Sequence, residues 1–149
     1  MKRILILLCS VAFAVASHAL EVTRMTVEMS ENPLALEVSA PRFGWQLTGA
    51  AGAEQSAYRI ELFRNDGKKQ RRVWDSGRVR SSRSQLVRYH GPELIPADRY
   101  FWRVKVWDEN GKESLWSPRS EFRIAPDAAF LSGSWIGAVD YDKAALPDG

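Results

Sequence analysis

RYFWRVKVWDENGKESLWSP, Arg99 to Pro118, decides the fold. From Tyr100 the even positions are Tyr100, Trp102, Val104 and Val106, while the odd ones are Arg99, Phe101, Arg103, Lys105 and Trp107. A period of two means a β-strand with one buried face, and the even face is the core. The strand stops at Asp108-Glu109-Asn110-Gly111-Lys112, where the Asn-Gly pair tolerates positive φ and lets the chain return antiparallel. Glu121 to Ile124 reads as the returning strand. The odd face is open to two readings, because Phe101 and Trp107 lie among cationic side chains. They suit either a structural stack or a surface on which a sugar or a neighbouring domain rests.

The same period recurs along the chain. Met25, Val27 and Met29 alternate, then Asn32-Pro33 and Ala40-Pro41 interrupt, since proline removes a ladder donor. Phe43, Trp45 and Leu47 alternate, as do Tyr58, Ile60 and Leu62 after the turn at Gly49 to Ala53. Asn65-Asp66-Gly67 closes that strand, Val73-Trp74-Asp75 is a short one ended by Ser76-Gly77, and Gln85 to Tyr89 is another. With Tyr100 to Trp107 and Glu121 to Ile124 this makes about seven short strands, the spacing of an all-β sandwich. Beyond residue 19 no stretch has a helical period. Trp45, Tyr58, Ile60, Trp102, Val104 and Phe122 are expected to form one core between two sheets.

The first nineteen residues are a different kind of sequence. Met1-Lys2-Arg3 is a basic start, Ile4 to Ala16 is apolar, and Ser17-His18-Ala19 is a small-x-small cleavage pattern. Together they read as a secretory signal peptide, too short in its apolar run for the roughly 20 residues of a membrane-spanning helix. Cys9 follows Leu8 and comes too early for a lipoprotein attachment site. The mature chain would be exported, periplasmic or secreted, with no membrane association after cleavage.

Cleavage changes the composition. The leader holds two of the 21 basic residues and none of the 18 acidic ones, so the mature charge is 19 − 18 = +1. A near-neutral exported domain is a poor partner for nucleic acid. The only cysteine goes with the leader, which excludes a disulfide, a thiol nucleophile or a thiolate metal site. His90, the one histidine left, lies beside Gly91-Pro92 and reads as a turn or edge residue. No cofactor or metal is implied. The run Lys68-Lys69-Gln70-Arg71-Arg72, continued by Arg78, Arg80, Arg83 and Arg88, reads as a solvated hairpin and guarded edge strand, with an anionic-ligand site as the alternative.

Landmark order then supports a resemblance. Trp45 on the second strand, Tyr58-x-Ile60-x-Leu62 on the third, and Leu94-x-Pro96 ahead of Tyr100 resemble a seven-stranded fibronectin type III domain, an immunoglobulin-like sandwich. The resemblance makes Tyr100 the tyrosine corner and Trp45 and Trp102 core residues. Trp116-Ser117, facing Arg103 and Lys105, is similar to half of the Trp-and-Arg ladder of cytokine-receptor fibronectin domains, which makes Trp116 structural. A narrower resemblance runs through Asn32-Pro33-Leu34, Pro41-Arg42-Phe43-Gly44-Trp45, Ala57-Tyr58-Arg59-Ile60, Val73-Trp74-Asp75-Ser76-Gly77, Tyr100-Phe101-Trp102-Arg103-Val104, Trp107-Asp108-Glu109-Asn110-Gly111, Trp116-Ser117 and Ser134-Trp135-Ile136-Gly137. These blocks, in this order, resemble the N-terminal module of secreted bacterial α-L-rhamnosidases.

That resemblance implies a signal peptide over 1–19, a fibronectin type III-like sandwich over 20–126, and a linker and stump of a following β-domain over 127–149. It implies as partners a downstream β-domain and a helical-barrel catalytic domain, and through them rhamnose-containing glycans. It also implies a truncated gene or a fragment. The family's catalytic carboxylates belong to the barrel, so no catalytic residue carries over. An inverting glycosidase needs two carboxylates about 6.5–9.5 Å apart across a sugar. Asp108 and Glu109 are neighbours on a hairpin tip and diverge, and Asp75 reads as a side-chain turn to the backbone near Gly77. Three functions remain open: an accessory, non-catalytic module of an exported α-L-rhamnosidase, a stand-alone carbohydrate-binding or adhesion module, and a structural spacer.

Overall fold

The computed structural model describes residues 20–66 and 69–127. The leader read over residues 1–19, Lys68 of the basic run and the stump with Trp135 lie outside the described residues. Among the described residues eight strands follow one another: β1 (Glu21–Val27), β2 (Arg42–Thr48), β3 (Gln55–Asp66), β4 (Lys69–Asp75), β5 (Val79–Arg80), β6 (Val87–Arg88), β7 (Arg99–Asp108) and β8 (Ser120–Arg123). They form a three-stranded sheet in the order β1-β2-β6 and a second sheet in the order β4-β3-β7-β8, with β5 also paired to β3. Every strand pair is antiparallel, and the core fills the space between the two sheets.

The eighth strand has a local cause. β4 reaches only as far as Glu61 on the twelve-residue β3, leaving Ala57 and Tyr58 to a second partner, Arg80 and Val79. Between the two, Gly77 takes a positive φ of 63° and the Asp75 carboxylate accepts its N–H at 2.9 Å, which is the side-chain turn the sequence suggested. Ser76 patches the gap: its N–H donates to the Ile60 carbonyl and its hydroxyl accepts from the Ile60 N–H.

Two sequence expectations are corrected. Met29 does not extend the alternation of Met25 and Val27. β1 ends at Val27, Glu28 and Met29 both adopt positive φ, and Met29 is 76% exposed. The turn is closed by the Val27–Ser30 backbone bonds, and the Glu28 carboxylate then clamps Arg42 at 2.6 Å. The strand read over Gln85 to Tyr89 shrinks to Val87–Arg88, because Leu86 turns at a φ of 53°.

Alternation on β7 places Tyr100, Trp102, Val104 and Val106 inward, all buried. Opposite them Phe43 acts as the central ring, 4.7 Å from Trp102 and edge-on to Phe122, while Tyr100 stacks on Phe122 at 5.5 Å. Trp45 is buried and donates its indole N–H to Gln55 Oε1 at 2.9 Å, and Gln55 in turn donates to the carbonyls of Ser81 and Arg83. Tyr58 differs from expectation: it is only partly buried and packs edge-on against Trp45 at the margin of the core. Tyr100 forms the corner, its Oη accepting the Ile95 N–H at 2.8 Å five residues upstream.

The second sheet's last strand is covered as well. The Asn32 side-chain oxygen accepts from the Glu121 N–H and the Ser120 hydroxyl, and beyond it the chain lies parallel to β8 through the Leu36–Ile124 bridge. A bare edge strand would invite pairing with another chain, and this loop removes the offer.

Trp102→Ala is expected to cost about 3–5 kcal/mol, since it empties the centre of the core. Tyr100→Phe is expected to cost about 1 kcal/mol through the corner bond alone. Urea denaturation midpoints check both, and an unshifted midpoint for Trp102→Ala would contradict the packing described.

Candidate functional site

The outer face of the second sheet is built from the residues that alternation turns away from the core. On β7 these are Phe101, Arg103, Lys105 and Trp107, and on β3 they are Arg59, Glu61 and Phe63. After β7 the chain turns at Asp108–Lys112, as the Asn-Gly pair implied: Gly111 has a φ of 80° and Asp108 Oδ1 accepts from the N–H groups of Asn110 and Lys112. The returning segment is not a regular strand until Ser120. It carries a serine at every third position, Ser114, Ser117 and Ser120, and all three are buried.

A three-residue period is not that of a strand, whose side chains alternate. It lets each serine replace a strand partner. The Ser114 N–H donates to the Val106 carbonyl and its hydroxyl accepts from the Val106 N–H, and Ser117 does the same for Val104. The positions one residue earlier, Glu113, Trp116 and Arg119, lie over the sheet's outer face. Glu113 pairs with Lys105 Nζ at 3.1 Å.

Cations and rings therefore alternate across the face. Arg119 lies over Phe63 at 5.2 Å, Arg103 lies between Phe63 (5.4 Å) and Trp116 (4.4 Å), Lys105 reaches Trp116 (5.0 Å) and Trp107 (5.5 Å), and Arg78 covers Trp107 at 4.5 Å. Beneath them Glu61, with a side chain only 5% exposed, binds Arg103 at 2.6 Å and Arg72 at 2.9 Å. Asp75 holds Arg59 at 2.6 Å. The guanidinium of Arg59 keeps the Asp75 carboxyl below its ordinary range, helped by the Gly77 N–H against a contrary effect of burial.

The Arg103 guanidinium and the Lys105 ammonium both lie over the Trp116 ring. Trp107 is 8% exposed and covered by Arg78, and Phe101 lies partly buried, in register between Phe63 and Glu121. Trp45, Trp102 and Tyr100 are in the core, remote from this face. Phe63, Glu61, Ser114 and Ser120 were not singled out from sequence, and Arg78 was read only as part of the basic run. The repeat Ser114-x-x-Ser117-x-x-Ser120 was the signal available for the serines, and the outward positions of β3 were available for Glu61 and Phe63 once β3 was known to be central.

The acids on this face have structural partners. Asp108 closes the turn, Glu109 accepts from the Glu54 N–H, and Asp75 and Glu61 hold arginines. No three metal-ligating side chains cluster among the described residues, and His90 is exposed. The geometry orders the hairpin, and the carboxylates described on this face are engaged with arginines and turn amides.

Residues 22–126 match the family model described as the Rha78A-like, N-terminal immunoglobulin domain. The chain belongs to that family. It is 43% identical over 123 residues to an α-L-rhamnosidase of Streptomyces avermitilis, covering 80% of this chain and 12% of that protein. An α-L-rhamnosidase of Formosa agariphila is 37% identical over 124 residues, covering 79% and 13%. Among solved structures, the Streptomyces avermitilis α-L-rhamnosidase complexed with L-rhamnose superposes with a TM-score of 0.66 at 42% identity, over 72% of this chain and 11% of that one. The α-L-rhamnosidase from Dictyoglumus thermophilum gives 0.66 at 31% identity, over 73% and 13%. The chain thus spans about an eighth of the length of the relatives it matches, at the domain their family model calls N-terminal.

Trp116→Ala removes the ring that Arg103 and Lys105 approach most closely and is expected to lower stability by about 1–2 kcal/mol, at about 0.5–1 kcal/mol for each of these two cations. An unchanged melting temperature would show that the stack does not order the hairpin. Acid should also weaken the face. A depressed carboxyl stabilises the fold fully above its unfolded pKa, near 4, and loses that contribution as pH falls through its lower folded value. Wild type is therefore expected to lose stability below about pH 4 more steeply than Asp75→Asn, checked by denaturation midpoints between neutral pH and pH 2.

Proposed function

We propose that this chain is the N-terminal accessory module of an exported α-L-rhamnosidase, and that it folds and positions rather than cleaves. The observation that carries the reading is the match of residues 22–126 to an N-terminal domain whose full-length relatives are α-L-rhamnosidases. The chemistry of the outer face supports it, because the carboxylates there are engaged with arginines and turn amides. Its partners are then a following β-domain and a catalytic domain, and its glycans are the rhamnose-containing substrates that the catalytic domain receives. Export is supported by the basic start, the apolar run and the Ser17-His18-Ala19 pattern.

Purified chain is expected to release no rhamnose from an aryl α-L-rhamnoside, since catalysis needs a positioned acid and base. Measurable release would overturn the accessory role. Gene sequence downstream of the codon for Gly149 is expected to encode a helical-barrel domain. N-terminal sequencing of the secreted product is expected to begin at Leu20, and a start at Met1 would remove the export reading.

A further inference from the structure

Not all of the basic run noted in the sequence is spent on the ladder, which takes Arg78 and Arg72. Arg71, with Arg64 and Arg72, lines a cavity of about 240 Å³ at one end of the sandwich, against Tyr89, Leu94 and Tyr100. The alternation that turns Ile60 and Leu62 into the core turns Arg64 the same way, beyond the core's last layer. Arg71 lies directly opposite it on β4. Like charges facing each other across two strands cost stability. Arg64 reaches Asp98 at 3.5 Å, whereas Arg71 has no acidic partner among the described residues. Guarding the β4 edge does not require Arg71, because the exposed Lys69 and Arg72 already do so.

The remaining walls are of another character. Tyr89, Pro92, Leu94 and Ile95 make an apolar floor. Burial pushes the Tyr89 phenol up to about 12 and raises that of Tyr100, so both stay neutral and repel no anion. Tyr100 Oη accepts the Ile95 N–H, and its own proton has no acceptor among the described residues. Glu93 lies on the cavity wall, where a carboxylate can accept from sugar hydroxyls. Drug-sized pockets run about 300–1,000 Å³, so this volume suits one ring.

We propose that this cavity is a subsite for one anionic sugar residue, with its carboxylate or sulfate ester held between Arg64 and Arg71 and its ring against Tyr89 and Leu94. A free inorganic anion would use the two guanidiniums but not the apolar floor or Glu93. The ligand class rests on the module's place in a glycan-cleaving enzyme, but the assay reads the cavity alone.

The test titrates the full 149-residue chain with trigalacturonate, its methyl ester, a sulfated trisaccharide and sodium sulfate, with melting temperatures measured in parallel. One of the two charged saccharides is expected to bind, and which of them does so identifies the anion. The methyl ester and sodium sulfate should bind about tenfold more weakly or not at all, as loss of a charge-assisted contact implies. Arg71→Gln should weaken binding about tenfold while leaving the melting temperature unchanged or raised, because it relieves a repulsion. The proposal is overturned if neither charged saccharide binds, if the ester or sodium sulfate binds as tightly, or if Arg71→Gln binds like wild type. It is also overturned if Arg71→Gln aggregates with binding intact, which would make Arg71 an edge guard. Absence of binding would leave the rhamnosidase parentage untouched, since that is read from the downstream sequence.

Discussion

The structure depends on completing one long strand with a short one. β7 runs ten residues, from Arg99 to Asp108, but β8 pairs with it only from Arg99 to Trp102. Val104 and Val106 lie in the middle of the core with their backbone groups on the side β8 does not reach. Buried amides without partners cost about 1–3 kcal/mol each, and a gap there would undermine the strand that carries Trp102. Ser117 and Ser114 close it, each offering a hydroxyl acceptor and an amide donor to a single valine. A residue that satisfies both groups at once has to recur every third position, and that period determines which side chains face outward.

The outer face follows from this repair. Because Trp116 precedes Ser117 it is carried over Arg103, and because Glu113 precedes Ser114 it meets Lys105. The arginines could not crowd together there unaided. Glu61 lies beneath them nearly excluded from solvent and is itself tolerable only because Arg72 and Arg103 bracket it. Ring stacking and ion pairing are thus two layers of one arrangement. Planar guanidinium suits the middle of it, since Arg103 lies close to both Phe63 and Trp116.

The sandwich was legible where a side-chain period met a clear turn. Tyr100 to Val106, Phe43 to Trp45 and Ile60 to Leu62 give their inward faces directly, and Asn110-Gly111 marks the reversal. Legibility failed where backbone conformation overrode the pattern. Met29 looks like the third member of an apolar series, but the positive φ at Glu28 has already turned the chain away. β5 has two residues and no period to read, and it exists because β3 outruns β4. On the outer face the position of Trp116 could be read from its spacing to Arg103. The cover of Arg78 over Trp107 could not, because it depends on how the Asp75–Gly77 turn aims the chain.

The loop that shields β8 also has a mechanical meaning. Arg123 donates to the Pro33 carbonyl, Leu36 to the Arg123 carbonyl, and Ala125 to the Leu36 carbonyl, three bonds holding the outgoing chain alongside the segment after β1. In a parallel pairing such as the Leu36–Ile124 bridge, tension applied along the strand loads these bonds in shear, all at once, instead of peeling them one by one. Pulling on residues beyond Asp127 would therefore strain the first sheet's connection and the last strand together. As far as Asp127, the chain would share such a load between two places distant in sequence instead of bearing it on the last strand alone.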